Sequence, residues 1–305
     1  MLIYIGKRIV MAFLVAVAVS FISFMILNLS GDPAIALAGA DASPEEIRLI
    51  REQYGLDRPI LVQYVEWVGR ALRGDFGESP YFNMPVKEII GDRIGVTLLL
   101  GICAFAFAIC LAIPLGVIAA IRPNTWIDRT ALTISVFGQA LPNFFFGLML
   151  IIFFGVTLQW LPISGDDTWL HFILPAVTLG YYASPSLMRL TRTGMLDVLA
   201  SDYIRTAKAK GLKMPRVLFK HALRNAIIPV VSLAFVQFGF MLGGAFVIEY
   251  VFSINGIGFL AVKSIQRADL PVVQVIVLLL SVIYVTMTLV ADVFNAFLDP
   301  RIRAK

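Results

Sequence analysis

The chain has 305 residues, of which 59% are hydrophobic and 15% charged, with a net charge of +5. Its mean hydropathy is +0.86 and its pI is near 9.3. A soluble domain carries about a quarter charged residues, so this composition excludes an ordinary water-soluble globule and makes the bilayer the expected solvent.

A membrane span needs about 20 apolar residues. Six stretches qualify: 9–29, 96–121, 130–158, 170–188, 227–249 and 271–297. The first follows Lys7 and Arg8 and precedes Ala36-Leu37-Ala38, which resembles a signal-peptide cleavage site. Its apolar run exceeds the ~7–15 residues of a secretory core, so it reads as a retained span. Residues 1–29 form the N-terminus and span one, 30–94 a helical outer loop, and 95–305 a five-span core.

The outer loop carries its own helix grammar. Ser43-Pro44-Glu45-Glu46 reads as an N-cap, a proline at the first helical position and a capping box. Ile47, Leu49 and Ile50 supply an apolar stripe, and Gly55 can close the helix in a left-handed conformation. A second helix is expected from Arg58 to Leu72, broken by Gly74 and Gly77, and a third piece from Val86 to Ile94. With eleven acids and seven bases, the loop reads either as solvated surface or as a docking surface for an external protein.

In the core, Cys103 and Cys110 read as small buried hydrophobes of span two. Gln139 and Asn143 flank Pro142 in span three. Gln237, Gly243 and Gly244 lie in span five, with Glu249 at its outer mouth. Polar groups at membrane depth line a cavity or bond a neighbouring helix, so Gln139, Asn143 and Gln237 read equally as path lining or as helix packing. Gly243-Gly244 permits close approach of a neighbour or a hinge, and with Glu249 these six are the candidates for a translocation path. A short helix over 258–267 follows Asn255-Gly256-Ile257-Gly258. Asp292, near the inner end of span six, reads as a residue that snorkels or meets a neighbouring arginine.

Six spans put both termini on one side. With that side as the cytoplasm, sixteen of the 25 Lys and Arg residues are cytoplasmic, and seven of the other nine sit in the long outer loop. Long loops translocate regardless of charge, so the short loops decide the orientation.

The concentrated basic segment 202–230, with seven Lys or Arg and one carboxylate, Asp202, then falls in the cytoplasm between spans four and five. A helix over 194–210 is expected to end at Gly211, with Pro215 opening a second helix over 215–226. Three readings compete: an anchor on anionic lipid, a nucleic-acid patch, and a docking element for a soluble engine. No aromatic interleaving supports nucleic acid. Small residues before a glycine corner favour docking, because they let another backbone approach closely.

Arg205-Thr206-Ala207-Lys208-Ala209-Lys210-Gly211, followed by Ile227-Ile228-Pro229, resembles the EAA loop of ABC importer permeases. It departs in having Arg205 for the acid and in the distance to the proline. The peptide-type permeases show this variant, and "GLDRP" at 55–59, "GDFGES" at 74–79, "LPAVTLG" at 174–180 and "DPRIR" at 299–303 agree with it. The chain looks like the first permease of a dipeptide, oligopeptide, glutathione or nickel importer.

The resemblance implies an all-α membrane protein of six transmembrane helices, the type I importer permease fold, with an external helical insertion after span one. It implies a bacterial inner-membrane subunit with a coupling loop over 191–226. Arg205, Thr206, Ala207, Lys208, Ala209, Lys210, Gly211, Leu212 and Pro215 would contact the ATPase. The partners implied are a second permease, two cytoplasmic ATPases carrying ATP and Mg, and an external binding protein. Nucleic acid is not among them.

No phosphate-cradling Gly-x-x-x-x-Gly-Lys-Ser/Thr is present, and His171 and His221 are expected on opposite membrane faces. No catalytic residue and no metal site is therefore expected in this chain. The rivals are a stand-alone secondary transporter and an intramembrane enzyme. The first needs a coupling-ion site and the second a catalytic pair at bilayer depth.

Overall fold

The computed structural model describes residues 2–30, 34–35 and 42–298. The Ala36-Leu37-Ala38 motif and the 299–303 motif lie outside the described residues.

The chain is a helical membrane protein. In order it forms α1 (Leu2–Ser30), α2 (Pro44–Gln53), α3 (Ile60–Ala71) and a two-stranded hairpin, β1 (Glu78–Ser79) with β2 (Met84–Pro85). Then come α4 (Val86–Ile121), α5 (Trp126–Ala140), α6 (Asn143–Leu150) and α7 (Ile173–Leu199). The chain closes with α8 (Asp202–Ala209), a compound helix over 214–226, α9 (Ile228–Val251), α10 (Ile257–Gln266) and α11 (Leu270–Leu298).

Local chemistry explains the boundaries. Ser43 Oγ accepts from the Glu46 amide at 3.3 Å, and Glu46 Oε2 accepts from the Ser43 amide at 2.7 Å. That return bond, with the Ser43 hydroxyl, holds the Glu46 carboxyl below the usual range. Gly55 ends the turn at φ 65°. α3 starts at Ile60 because Pro59 is its extended cap. The piece expected over 86–94 is instead the first quarter of one 36-residue helix, α4. The helix expected over 194–210 breaks after Leu199, because Ser201 adopts extended backbone (φ −73°, ψ 154°) and restarts the chain as α8.

Among the described residues, four helices are long and apolar enough to cross a membrane: α1, α4, α9 and α11. The expected span over 130–158 is split at Leu141-Pro142 into α5 and α6, and α6 continues as a π-helical turn, Ile151–Thr157. The expected span over 170–188 begins in a 3-10 turn, Trp169–Phe172, and continues as α7, whose second half also carries Arg189, Arg192 and Asp197.

The centre of the bundle is the α4–α7 pair. Along α4, Ala104, Ala108, Ala112, Gly116 and Ala120 recur every four residues, all buried. Along α7, Ala176, Gly180 and Ser184 do the same. Residues four apart share a helix face, and small ones let backbones approach closely. A Cβ built on Gly180 would stand 2.3 Å from the Ala104 carbonyl oxygen; one on Gly116 would stand 2.8 Å from the Met188 carbonyl. Cys110 is exposed, not buried as expected, because it lies off this row. Around the pair, α9 packs on both α4 and α7, and α11 packs on α9 and α1. Arg8 reaches Asp292 at 2.9 Å and pairs the start of α1 with the end of α11.

Gly180→Ala should destabilise the purified protein by about 1–3 kcal/mol, because backbone must move to admit the methyl. Gly95→Ala, on a stretch of α4 where a Cβ meets nothing within 4 Å, should be neutral or slightly stabilising. Thermal unfolding of the two variants checks this, and equal melting temperatures would count against the close crossing.

Candidate functional site

A cavity of about 300 Å³ opens between α5, α6, α7 and α9. Its polar lining comprises Gln139, Asn143, Tyr182 and Gln237, and its apolar lining includes Leu179, Phe240 and Met241. The break between α5 and α6 makes it. A residue before proline is pushed to extended backbone, and Leu141 takes φ −112°, ψ 146°. Non-helical backbone is tolerated at membrane depth where it borders a cavity. The break delivers Gln139 from the end of one helix and Asn143 from the start of the next. Asn143 Oδ1 accepts from the Phe144 amide at 2.8 Å, and Gln139 donates to the Tyr182 carbonyl at 3.4 Å.

Four of the six residues expected on a path therefore line one space: Gln139, Asn143, Gln237 and Gly244. The other two lie elsewhere. Gly243 is exposed, and a Cβ there meets nothing within 4 Å. Glu249 is fully buried. Its carboxylate accepts from Thr97 Oγ1 at 2.7 Å and from the amides of Gly258 at 2.7 Å and Phe259 at 3.2 Å. Thr97 Oγ1 in turn accepts from the Ile257 amide at 2.8 Å. Glu249 thus caps α10 from another helix, accepting from amides that have no partner within the first turn of a helix. Gly256 is required beside it, because a Cβ there would sit 2.3 Å from the carboxylate. Tyr182 and Phe240 are cavity residues that sequence reading missed; nothing in their local sequence separates them from other aromatic span residues.

The β1–β2 hairpin closes on the corner between α10 and α11. Ser79 Oγ donates to the Asp269 carboxylate, and Arg267 stacks over the Tyr81 ring at 5.0 Å. Burial pushes the Asp269 carboxyl above its usual range, against the opposing effect of the Ser79 bond.

At the other end of the bundle, the 202–226 segment folds as a helical corner. The Gly211 amide donates to Lys208 O at 2.9 Å and the Leu212 amide to Ala207 O at 3.3 Å. Gly211 sits at φ 77°. This is a Schellman ending, and its hydrophobic contact turns Ala207 and Leu212 inward. Both join a cluster with Ile204, Val217, Leu218, Met195 of α7, and Val117 and Ala120 of α4. Ala207 and Leu212, expected among the residues that contact the ATPase, thus face this cluster. Arg205, Thr206, Lys208, Ala209, Lys210, Gly211 and Pro215 are exposed, beside Tyr203, Met214 and Phe219. The second helix carries a π-helical turn, Val217–Ala222, which its sequence does not announce.

An ion pair unmarked in the sequence stands just inside the corner. Arg192 Nε and Nη2 donate to Asp128 Oδ1 and Oδ2 at 2.7 and 2.6 Å. The Asn124 amide donates to the same carboxylate at 2.8 Å. The two residues are 64 positions apart, so only the fold brings them together.

The architecture is that of an ABC importer membrane subunit. The family described as "Binding-protein-dependent transport system inner membrane component" matches residues 112–304, and its N-terminal counterpart matches residues 1–101. The chain belongs to that family. It is 42% identical over 306 residues to the glutathione transport system permease protein GsiC of Escherichia coli strain K12, covering 100% of both chains. The GsiC protein of Salmonella typhi matches equally, at 42% identity over 306 residues. Among solved structures, the MetNI methionine ABC transporter in an inward-facing conformation aligns at TM-score 0.56 with 17% identity, covering 69% of this chain and 96% of that one. An amino acid ABC transporter aligns at TM-score 0.50 with 16% identity, covering 70% and 94%. These two show the fold.

Asp128→Asn should destabilise the protein by about 3 kcal/mol, the low end for breaking a buried pair, because the Arg192 side chain keeps 21% exposure. Asp202→Asn removes the exposed Arg205 pair, whose side chains are 75% and 93% exposed, and should cost less than about 1 kcal/mol. Denaturation midpoints of the two variants distinguish these outcomes.

Proposed function

We propose that this chain is one of two permease subunits of an ATP-driven importer for glutathione or a short peptide. The observation that carries the reading is the end-to-end match at 42% identity to proteins named as glutathione transport permeases. The chain performs no hydrolysis. It couples a membrane path to two ATPases, which hold ATP and Mg, and receives cargo from an external binding protein. The same machine importing a nickel chelate or an opine is the second reading, since cargo choice rests largely with the binding protein. A stand-alone secondary transporter is disfavoured, because among the described residues the buried acids Glu249 and Asp128 are already committed, one to the start of α10 and the other to Arg192.

The spans of the proposal are six: the four long apolar helices, the broken α5–α6 passage, and α7. The excess of Lys and Arg in 202–226 supports a cytoplasmic corner with both termini on that side. Residues 30–94 then form the insertion on the external side of the bundle, and 95–305 the core. The cavity lined by Gln139, Asn143, Gln237 and Gly244 is this subunit's share of the path. Its described lining holds carboxamides, a phenol and apolar groups, with no formal charge. Such a surface passes a peptide by transient amide hydrogen bonds and does not trap a charged end.

The exposed corner is the coupling element. Lys208, Ala209, Lys210 and Gly211 form the tip that enters an ATPase groove, while Ala207 and Leu212 hold it from beneath. An L-residue at φ 77° is strained, so Gly211→Asp both distorts the tip and charges it. Losing about 2–4 kcal/mol of contact energy lowers ATPase affinity by roughly 30- to 1,000-fold. Lys208→Gln should be mild. Pull-down and cargo-stimulated ATP hydrolysis in the reconstituted complex give the answer. Docking by shape is wrong if Gly211→Asp keeps both activities while Lys208→Gln with Lys210→Gln abolishes them.

A further inference from the structure

We infer that α3 lies within the membrane, with one apolar face on α1 and the adjoining apolar face on lipid acyl chains. The inference goes beyond the proposed transport role and rests only on the membrane character of the chain, so it does not depend on the cargo.

The first observation is depth. The apolar window of α1 runs Ile5–Met25. The Tyr64 hydroxyl of α3 meets Ser20 Oγ at 2.7 Å and donates to the Val17 carbonyl at 3.3 Å. The apolar run continues to residue 29, so at about 1.5 Å of rise per residue Val17 lies at least roughly 12 Å along the axis inside its end. The Tyr64 ring packs edge-on against Phe21 and Phe24, with centroids 5.1 and 5.6 Å away. Trp67 lies 6.0 Å from Phe24 and is buried. A helix seated on that stretch of α1 is held below the membrane surface, not above it.

The second observation is the arrangement of side chains around α3. At 100° per residue, Tyr64, Trp67 and Ala71 occupy the face on α1. Leu61, Val65 and Leu72 fall on the next sector, and they are 62%, 67% and 84% exposed. Glu66 and Arg70 fall on the remaining edge, and Glu66 pairs with Arg58 at 2.5 Å. The apolar arc is therefore continuous from the α1 contact onto the free face, with the charges confined to one side. That is the pattern of a helix lying in a membrane interface. On α1 itself, Ile22 is 55% exposed at the same level, so the free face of α3 extends a surface that already meets lipid. Trp67 and Tyr64 suit an interfacial depth, and the helix satisfies its own backbone bonds, as lipid requires.

The test uses the full chain in its complex, reconstituted in phosphatidylethanolamine–phosphatidylglycerol vesicles. Cys103 and Cys110 are first replaced by alanine. Nitroxide labels go singly on Val65→Cys, Leu72→Cys and Arg70→Cys, with Leu61→Cys replacing Val65→Cys if that chain fails to accumulate. Relaxation by dissolved oxygen is compared with relaxation by a water-soluble nickel chelate. Labels at 65 and 72 should be several-fold more accessible to oxygen than to nickel, and the label at 70 should show the reverse. Nickel access at 65 and 72 would put the helix in water and overturn the inference. Shielding from both reagents would mean that a protein covers the face, and would overturn it equally.

Discussion

The close crossing of α4 and α7 is the contact on which the remaining architecture depends. Helices in lipid gain little from apolar burial against each other, so they associate through tight packing of small residues. The four-residue rows of alanine, glycine and serine on the two helices allow their backbones to approach until Gly180 and Ala104 nearly touch. Larger side chains at the edges then fix the neighbours: Leu242 of α9 lies against Gly101, and Phe252 fills the space beside Gly147 and Thr178. The cavity exists because this core is dense on one side and the adjoining α5–α6 passage is broken.

The same pair joins the two ends of the molecule. The basic corner does not hang from the bundle; its buried side chains share a cluster with Val117 and Ala120 of α4 and Met195 of α7. Gly194 of α7 sits so close to the 214–226 helix that a Cβ would meet the Ala226 carbonyl at 2.9 Å. Packed interiors transmit displacement because they have little free volume. A shift of the corner is therefore carried into α4 and α7, and α7 supplies Leu179, Tyr182 and Ala183 to the cavity wall. The Asp128–Arg192 pair stiffens the junction where α5 meets α7.

At the opposite end a different device holds the structure. Glu249, Thr97 and the amides of Ile257, Gly258 and Phe259 form one closed set of hydrogen bonds. A lone acid near a span end reads in sequence as a path residue, since buried acids are costly without a task. Its task here is to cap a short helix against α4 and α9. The hairpin around Ser79 and Asp269 extends that set into the segment between α1 and α4.

Local chemistry was legible in the chain alone. The capping box at Ser43, the left-handed corners at Gly55 and Gly211 and the long apolar runs follow from residue type and spacing, because each depends on neighbours within a few positions. The broken passage at Pro142 was foreshadowed by the proline, and its flanking Gln139 and Asn143 marked the cavity. Tertiary structure decided what spacing cannot encode: Asp128 meeting Arg192, Glu249 reaching the start of α10, Ala207 and Leu212 turning inward, and Tyr64 of α3 packing on α1. Each depends on contacts between residues far apart in the chain or on which side of a helix its neighbours cover, and a linear pattern of apolar and polar residues specifies a face without naming what lies against it.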